Sequence, residues 1–240
     1  MNAGRTARER VRAELIREIT EIARRQLGTA GAAGLSLRAI AREMGMVSSA
    51  IYRYFPSRDD LLTTLIIEGY DAVGEAVENA DAAVTADPAR ARDFPGRWLA
   101  VCRAVRGWAL AHPHEYALLN GTPVPGYKAP DATVPAAVRT TAVLARIVSE
   151  AHAAGAIEPA GPLLPPPPSL AGDLARVRAA LAVDVPDDVV LRALTAWAGL
   201  YGTVSFELFG QFANTVEDDR DAYFDHAMTL LAGLIGLRSA

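Results

Sequence analysis

Hydrogen-bonding side chains crowd one short stretch of this chain, between residues 48 and 54. The polar residues of the stretch are Ser48, Ser49, Tyr52, Arg53 and Tyr54. Hydroxyl and guanidinium groups such as these bond to phosphate oxygens and to the edges of nucleic-acid bases. The apolar residues beside them are Ala50, Ile51 and Phe55. The pattern predicts a short helix with one buried face and an outer face of hydrogen-bonding groups.

A second short helix is expected immediately before this stretch. Its apolar residues recur with helical spacing at Leu37, Ile40, Ala41 and Met44. Ser36 can accept hydrogen bonds from the free N–H groups at its start, and Gly45 suits the left-handed conformation that ends a helix. Two helices around a glycine turn, the second with an exposed polar face, form the pattern of a helix-turn-helix that fits a DNA major groove. The alternative is an ordinary helical hairpin, which leaves the outward tyrosines and arginine unexplained.

Residues 45–61 resemble the DNA-binding signature of the tetracycline-repressor-like (TetR) family of transcriptional regulators. Their sequence is Gly-Met-Val-Ser-Ser-Ala-Ile-Tyr-Arg-Tyr-Phe-Pro-Ser-Arg-Asp-Asp-Leu. The signature has a Gly followed by a small-polar run, Tyr, an aromatic residue or His, Phe, and a basic residue at the start of the next helix. Val47 departs from it, because a capping Ser is usual there.

The resemblance, carried over position by position, implies two sets of DNA contacts. The residues implied to contact base edges are Arg38, Ser48, Ser49, Ala50 and Arg53. The residues implied to contact phosphates are Ser36, Tyr52, Tyr54 and Arg58. With one arginine on the recognition helix, we expect methyl contacts and DNA shape to supply much of the discrimination.

The charge of the chain is distributed unevenly. Its net charge is −4, but residues 1–60 hold 11 arginines against 7 acidic residues, a net of +4, and the remainder holds −8. A basic N-terminal region on an acidic body suits a protein that approaches phosphates at one end; chance clustering is the alternative. The arginine-rich residues 5–12 are either an arm or helix start that touches DNA, or a solvated tail, and for residues 1–5 we favour the tail.

Composition indicates a globular protein of a reducing compartment. Cys102 is the single cysteine, so no intramolecular disulfide is possible. We find no signal-peptide core and no run of eighteen apolar residues, and we therefore expect a cytoplasmic protein with no membrane partner.

Helical periodicity continues along the chain and predicts an all-α fold. Expected helices cover residues 6–27, about 57–80, a face from Trp98 to Ala109, 132–154, 187–213 and 218–237. Ser57 and Asp60 form a capping-box pattern at the second of these. We expect a three-helix DNA-binding domain over 1–57, a linker helix over about 57–80, and a larger helical domain over 81–240 for effector binding and dimerisation. The proline-rich residues 159–169 read as a surface excursion between helices.

The last two expected helices are apolar over a wide arc, which favours a partner. The family resemblance implies that these helices pair in a homodimer; completion of a monomeric core is the alternative. Residues 197–202 also resemble a tryptophan and glycine motif of one C-terminal subclass. The candidate interface residues are Leu194, Leu208, Phe209, Phe212, Phe224, Met228, Leu231 and Leu234.

A set of aromatic and aliphatic residues has two interpretations. Taken alone it is core packing; taken with the resemblance it lines a cavity for a small apolar or aromatic molecule. The candidate pocket residues are Trp98, Val101, Cys102, Val105, Trp108, Tyr116, Leu119, Ile147, Trp197 and Tyr201.

Catalytic and metal-binding patterns are weak, so we expect no enzyme activity, no cofactor and no metal. The sequence lacks a Gly-x-Ser-x-Gly elbow, a His-Glu-x-x-His motif and a phosphate loop. His112, His114 and Glu115 come nearest to a metal cluster, but a His at a helix end is more often a cap or dipole partner. Cys102 lies on an apolar helical face and is expected to be an inert thiol.

These features together predict a homodimeric, ligand-responsive repressor that binds double-stranded DNA. Two alternatives stay open: a dimeric all-α scaffold that does not read DNA, and a small-molecule enzyme on a helical bundle.

Overall fold

The computed structural model describes residues 3–159 and 164–240. These residues form eleven α-helices and no β-strand, which confirms the all-α prediction. The helices are α1 Ala3–Ala30, α2 Leu37–Glu43, α3 Ser48–Ile51, α4 Arg58–Thr85, α5 Phe94–Ala111, α6 Pro113–Asn120, α7 Val134–Ala137, α8 Arg139–Ala153, α9 Ala171–Leu181, α10 Asp187–Leu208 and α11 Arg220–Ile235.

The chain folds into two compact units. The first unit contains the residues up to Tyr70 together with His112–Ala136, and the second contains Asp71–Ala111 and the residues from Ala137 onward. This division differs from the expected boundary in two ways. The boundary lies within the continuous helix α4, and the segment His112–Ala136, which we expected in the larger domain, belongs to the first unit.

The core of the first unit is built by α1 to α4. Its buried side chains include Ile19, Leu27, Ile40, Ile51, Phe55 and Leu62. α1 is longer than predicted: it already begins at Ala3 and continues past Gly28 to Ala30. Residues 3–5 are therefore helical rather than a tail, and residues 1 and 2 lie outside the described residues.

α4 begins with the predicted capping box. The Ser57 hydroxyl accepts a hydrogen bond from the Asp60 N–H at 3.1 Å and donates one to the Asp60 carboxylate at 2.7 Å. Pro56 immediately precedes this cap, where it cannot interrupt a helix. The helix then runs five residues beyond the predicted end at Ala80, to Thr85.

α6 and the loop after it belong to the first unit because they pack on α1 and on the start of α4. Leu118, Val124 and Tyr127 pack against the buried core of this unit. The Tyr127 hydroxyl and the Thr63 hydroxyl share a hydrogen bond of 2.9 Å. Gly69 leaves room for Leu119, since a Cβ at Gly69 would lie 3.3 Å from its side chain.

The second unit packs around α5. Trp98 is 1% exposed, and its indole N–H donates to the Met228 carbonyl on α11 at 3.0 Å. Asp81 is buried and accepts two hydrogen bonds from Arg97, at 2.7 and 3.0 Å, and one from Arg146 at 2.7 Å. Burial opposes ionisation of Asp81, but these hydrogen bonds outweigh it and hold its pKa below the usual value.

Three predicted helices of the second half differ in extent. The helix expected over 132–154 is divided at Val138 into α7 and α8, with Pro135 in the first piece. α10 ends at Leu208, because a turn with Gly210 in the left-handed region follows, and α11 is slightly shorter than expected. In the proline-rich excursion, residues 160–163 lie outside the described residues, and residues 164–169 are mostly exposed.

Candidate nucleic-acid interface

The turn between α2 and α3 has the predicted geometry. The Ser36 hydroxyl accepts a hydrogen bond from the Ala39 N–H at 3.3 Å and so caps α2. Gly45 has φ +65°, a left-handed conformation that an L side chain rarely adopts. The Met46 N–H then closes the turn on the Ala41 carbonyl at 2.8 Å. Ser36 is thus used inside the fold, while its own hydroxyl proton remains a donor for a phosphate.

α3 presents the polar face that the sequence predicts. Ile51 and Phe55 are buried in the core of the first unit. The polar side chains exposed at α3 and directly after it are Ser48, Ser49, Tyr52 and Arg53. Ala50 is half-buried between these two sets, and Val47 starts the helix without a side-chain cap, as its departure from the family pattern implies.

Tyr54 does not point fully outward as expected. It is half-buried and packs against the core of the first unit. The Arg12 guanidinium lies over its ring, 5.4 Å from the centroid, which is a cation–π distance. The sequence does not single out Arg12; its only signal is its place in the arginine-rich residues 5–12, which are compatible with a DNA-touching arm or a solvated tail.

Three exposed arginines carry charge that the protein itself does not neutralise. Arg38 and Arg42 lie on α2 and Arg53 follows α3, and all three are exposed. Across residues 3–159 and 164–240, no ion pair involves any of them. The neighbouring acid Glu43 is bound by Arg25 at 2.7 Å. This part of the first unit therefore offers positive charge and hydrogen-bond donors to an external anion.

Arg58 is held differently from the other candidates. Its guanidinium donates to the Ala32 carbonyl at 2.7 Å, and its Nε is buried. The side chain is 30% exposed. The expected phosphate contact thus competes with a structural role, because one face of the guanidinium already joins α4 to the turn after α1.

The second unit holds an apolar cavity of about 50 Å³. Of the ten candidate pocket residues, Trp98 and Trp197 line it. Two candidates, Tyr116 and Leu119, belong to the first unit and do not line this cavity. The remaining candidates are buried in the core or lie away from the lining: Val101, Cys102, Val105, Trp108, Ile147 and Tyr201.

Sequence reasoning missed most of the lining. It comes from α8, α9, α10 and the segment between α9 and α10, and includes Leu144, Val148, Val177, Leu181, Val185 and Val190. These residues show ordinary helical periodicity, which does not separate cavity walls from packed core. Cys102 is fully buried, and burial raises the pKa of its thiol well above the usual value, as an inert core thiol requires.

The candidate interface residues divide into three groups. Phe224 and Met228 are at most 1% exposed, so the structure corrects them to intramolecular core. Leu194 lines the cavity, and Leu208, Phe212 and Leu231 are half-buried. Phe209 and Leu234 are exposed at 47% and 41%. Further exposed apolar side chains on or beside the same two helices were missed: Trp197, Phe206, Tyr223 and Leu230.

Two other features concern metal binding and membrane insertion. Within the described ranges, no three His, Cys, Asp or Glu side chains gather as metal ligands. α10 is long and apolar enough to cross a membrane by length and composition alone. Its residues Arg192 and Glu207 are nevertheless buried in ion pairs with Asp188 and Arg106, as in a helix of a protein core.

Comparison with known proteins assigns the chain to a family. Residues 19–65 match the bacterial regulatory proteins of the tetR family, and residues 98–231 match the tetracyclin repressor-like C-terminal domain. The HTH-type transcriptional regulator Rv1816 of Mycobacterium tuberculosis is 39% identical over 96% of this chain and 94% of its own length.

Solved structures agree with this assignment. The regulatory protein SCO4313 is 36% identical, with a TM-score of 0.75 over 94% of this chain and 98% of its own. A tetR family transcription regulator from Shewanella sp. PV-4, at 17% identity and a TM-score of 0.57 over 90% of this chain and 94% of its own, supports the fold alone. The chain therefore belongs to the tetracycline-repressor-like family of bacterial transcriptional regulators, and it is not an enzyme.

Proposed function

We propose that this regulator is a homodimeric repressor that binds a double-stranded DNA operator through α3 and leaves it when a small apolar or aromatic effector binds the second unit. The observation that carries the DNA part is the contrast at α3: Ile51 is fully buried, whereas Ser48, Ser49 and Arg53 are exposed. A helix fixed on one side and polar on the other is what a major groove accepts.

Base readout falls to the exposed groups of α2 and α3. Arg38 and Arg53 supply guanidinium donors, which pair best with guanine. Ser48 and Ser49 supply hydroxyls, and the Ala50 methyl is suited to contact a thymine methyl. Phosphate contact falls to Ser36, Tyr52 and Tyr54, with Arg12 as an added cation beside Tyr54. For Arg58 a phosphate contact is limited to the part of its guanidinium that Ala32 does not occupy.

The homodimer is supported by the exposed apolar surface of α10 and α11. Phe206 is 53% exposed and Leu230 is 62% exposed, although both lie on helices whose opposite sides are core. Large apolar side chains gathered on one surface mark an interaction site. Two-fold symmetry also gives a groove reader two half-sites one helical turn apart.

The effector acts by population shift. An effector lowers operator affinity only to the extent that it binds the DNA-incompetent geometry of the dimer more tightly than the competent one. By linkage, the operator must then weaken effector binding by the same factor. We propose a cytoplasmic location as well, because the protein has to reach chromosomal DNA.

Binding to the DNA next to its own gene tests the proposal. Footprinting with the purified full-length protein is expected to protect two half-sites, and the complex is expected to weaken steeply with salt. A reporter driven by that DNA should be repressed when the protein is present. Protection without sequence preference would leave the scaffold alternative, and activation of the reporter would contradict repression.

A further inference from the structure

We infer that the cavity of the second unit binds an uncharged, hydrocarbon-like molecule and that α9 is a lid, whose outward movement lets this molecule enter. The inference rests on the proposed effector role of the second unit, and it adds the cavity that binds the effector, the exclusion of charged ligands and the route of entry.

The lining carries no group for a charged ligand. Its described side chains are aliphatic or aromatic except for Thr141, and none is charged. The Trp98 indole N–H is already donated to the Met228 carbonyl at 3.0 Å. A carboxylate or ammonium group placed here would lose its hydration without gaining a counter-ion, which is strongly unfavourable. Apolar contact area is therefore what the cavity has to offer a ligand.

The cavity is smaller than the apolar molecules that its lining would bind. Its volume is about 50 Å³. An engineered apolar cavity that binds benzene measures about 150 Å³, and pockets for drug-sized ligands start at about 300 Å³. A ligand of even one ring therefore requires a wall to move outward.

α9 is the wall with the least packing. Within Ala171–Leu181, which the structure describes throughout, only Leu174 is buried. The helix nevertheless supplies Val177 and Leu181 to the lining, and the next residues supply Val183 and Val185. α8 and α10, which form the facing walls, each carry at least six buried residues. Elements with little buried apolar surface open at the lowest free-energy cost.

One ion pair at the end of α9 opposes its outward movement. Arg178 pairs with Asp187 at the start of α10, so α9 moves outward only when this pair breaks. Ala182, in the left-handed region at φ +52°, ends α9 at the point where the chain turns toward α10.

Ligand chemistry is tested with toluene and benzoate, which share a ring and differ in charge. Each is titrated into the full-length protein, with tryptophan fluorescence as the readout because Trp98 and Trp197 line the cavity. We expect saturable 1:1 binding of toluene and binding of benzoate that is at least about a hundredfold weaker. Equal affinity for the two probes, or no saturable toluene binding, would overturn the inference.

Filling the cavity tests whether it is the binding site. Ala145→Leu places a larger side chain in the cavity, whereas the matched control Ala142→Leu places the same side chain on an exposed position of α8. Toluene affinity should fall at least about tenfold in the first variant and stay unchanged in the second. Ala193→Leu, which fills the cavity from α10, repeats the test if Ala145→Leu lowers the melting temperature. Wild-type toluene binding by the filled variants rules out the cavity as the site.

The lid is tested by stopped-flow fluorescence. Arg178→Ala should speed both association and dissociation of toluene by roughly two- to fivefold, the range for loss of a partly exposed ion pair. Arg176→Ala removes a pair that lies within α9 and should leave both rates unchanged. Unchanged rates in Arg178→Ala would exclude α9 as the entrance. Because these assays contain no DNA, their failure leaves the operator proposal standing, and a failed footprint leaves the ligand site standing.

Discussion

Arg12 and Tyr54 join the first helix of the protein to the end of its recognition segment. The Arg12 guanidinium lies 5.4 Å from the centroid of the Tyr54 ring, and the ring also packs on the core of the first unit. Both contacts use the ring, whereas the phosphate contact proposed for Tyr54 needs only its hydroxyl. The two roles of the residue can therefore be separated by removing one oxygen atom.

Tyr54→Phe keeps the ring and removes the hydroxyl. We expect the melting temperature to stay unchanged and DNA affinity to fall about ten- to a hundredfold for operator and non-operator DNA alike, the worth of one hydrogen bond to a charged phosphate. Fluorescence anisotropy with labelled duplexes measures both affinities. Tyr70→Phe, at a half-buried tyrosine of α4 that belongs to neither proposed surface, serves as the control. Unchanged DNA affinity in Tyr54→Phe would mean that the hydroxyl touches no phosphate.

Arg38 and Arg42 provide a matched pair on α2, since both are exposed and without an ion pair among the described residues. Arg38→Ala should cost about 1–3 kcal/mol of discrimination at one base pair, because a guanidinium to a base edge carries sequence information. Arg42→Ala removes the same charge and should weaken specific and non-specific binding alike. Competition between the operator and single-base variants measures the difference. Equal loss of preference in both variants would refute base readout by Arg38.

Arg58 is expected to matter for stability as well as for DNA. Its guanidinium donates to the Ala32 carbonyl at 2.7 Å in a half-buried setting. Arg58→Ala should therefore lower the free energy of unfolding by about 1–2 kcal/mol in urea denaturation. Arg25→Ala breaks an exposed pair with Glu43 and should cost less than about 1 kcal/mol. Unchanged stability together with a flatter salt dependence of DNA binding would instead make Arg58 a phosphate contact alone.

The local parts of the fold could be predicted from the sequence because their signals lie within a few residues of each other. The Ser36 cap, the Gly45 turn and the Ser57–Asp60 capping box all satisfy backbone groups three to five residues away. The segment around Tyr127 could not be placed, since its hydrogen bond to Thr63 joins residues 64 positions apart. Periodicity has no information about such a pairing.

Periodicity also fails to distinguish what covers an apolar stripe. Phe224 and Met228 read the same as Leu234 in the sequence, yet the first two are buried within the chain and Leu234 is exposed. The lining of the cavity is hard to predict for the same reason: Val105 and Val148 are both apolar helical residues, but of the two only Val148 lines the cavity of the second unit. Burial and voids depend on the facing helices, which only the three-dimensional structure specifies.

Stability in acid should depend on Asp81. Its folded-state pKa lies below the usual value of 3.8. The ionised Asp81 carboxylate therefore stabilises the fold above about pH 4, and this stabilisation is lost as the pH falls through the folded-state pKa. Asp81→Asn should lower the free energy of unfolding at pH 7 by about 3–5 kcal/mol, because buried Arg97 loses its main partner. The gap between the two proteins should narrow as the pH drops below about 4.

Denaturant unfolding at a series of pH values measures this gap. Asp225→Asn is the control, because hydrogen bonds from Arg103 also lower the Asp225 pKa but both side chains are at least one-third exposed. That variant should lose less than about 1 kcal/mol at pH 7. A gap for Asp81→Asn that stays constant from pH 7 to pH 3 would contradict the assignment of an ionised Asp81 in the folded protein.

The proposed dimer predicts different outcomes for substitutions at two residues that lie two positions apart on α11. Leu230→Glu places a charge on an exposed position of the proposed interface and should raise the dimer dissociation constant at least about thirtyfold, as expected for a side chain worth 2 kcal/mol or more. Met228→Ala should instead cost about 2–5 kcal/mol of unfolding free energy, because Met228 is fully buried in one chain.

Sedimentation of each variant over a range of concentrations separates these outcomes. Leu110→Glu, on an exposed position of α5, controls for the added charge and should sediment like the unaltered protein. If Leu230→Glu dissociates the dimer, operator affinity should fall with it while a single half-site is bound as weakly as before, because each monomer keeps its own α3. If Leu230→Glu remains dimeric, the interface does not include this face of α11, and the exposed apolar side chains there require another partner.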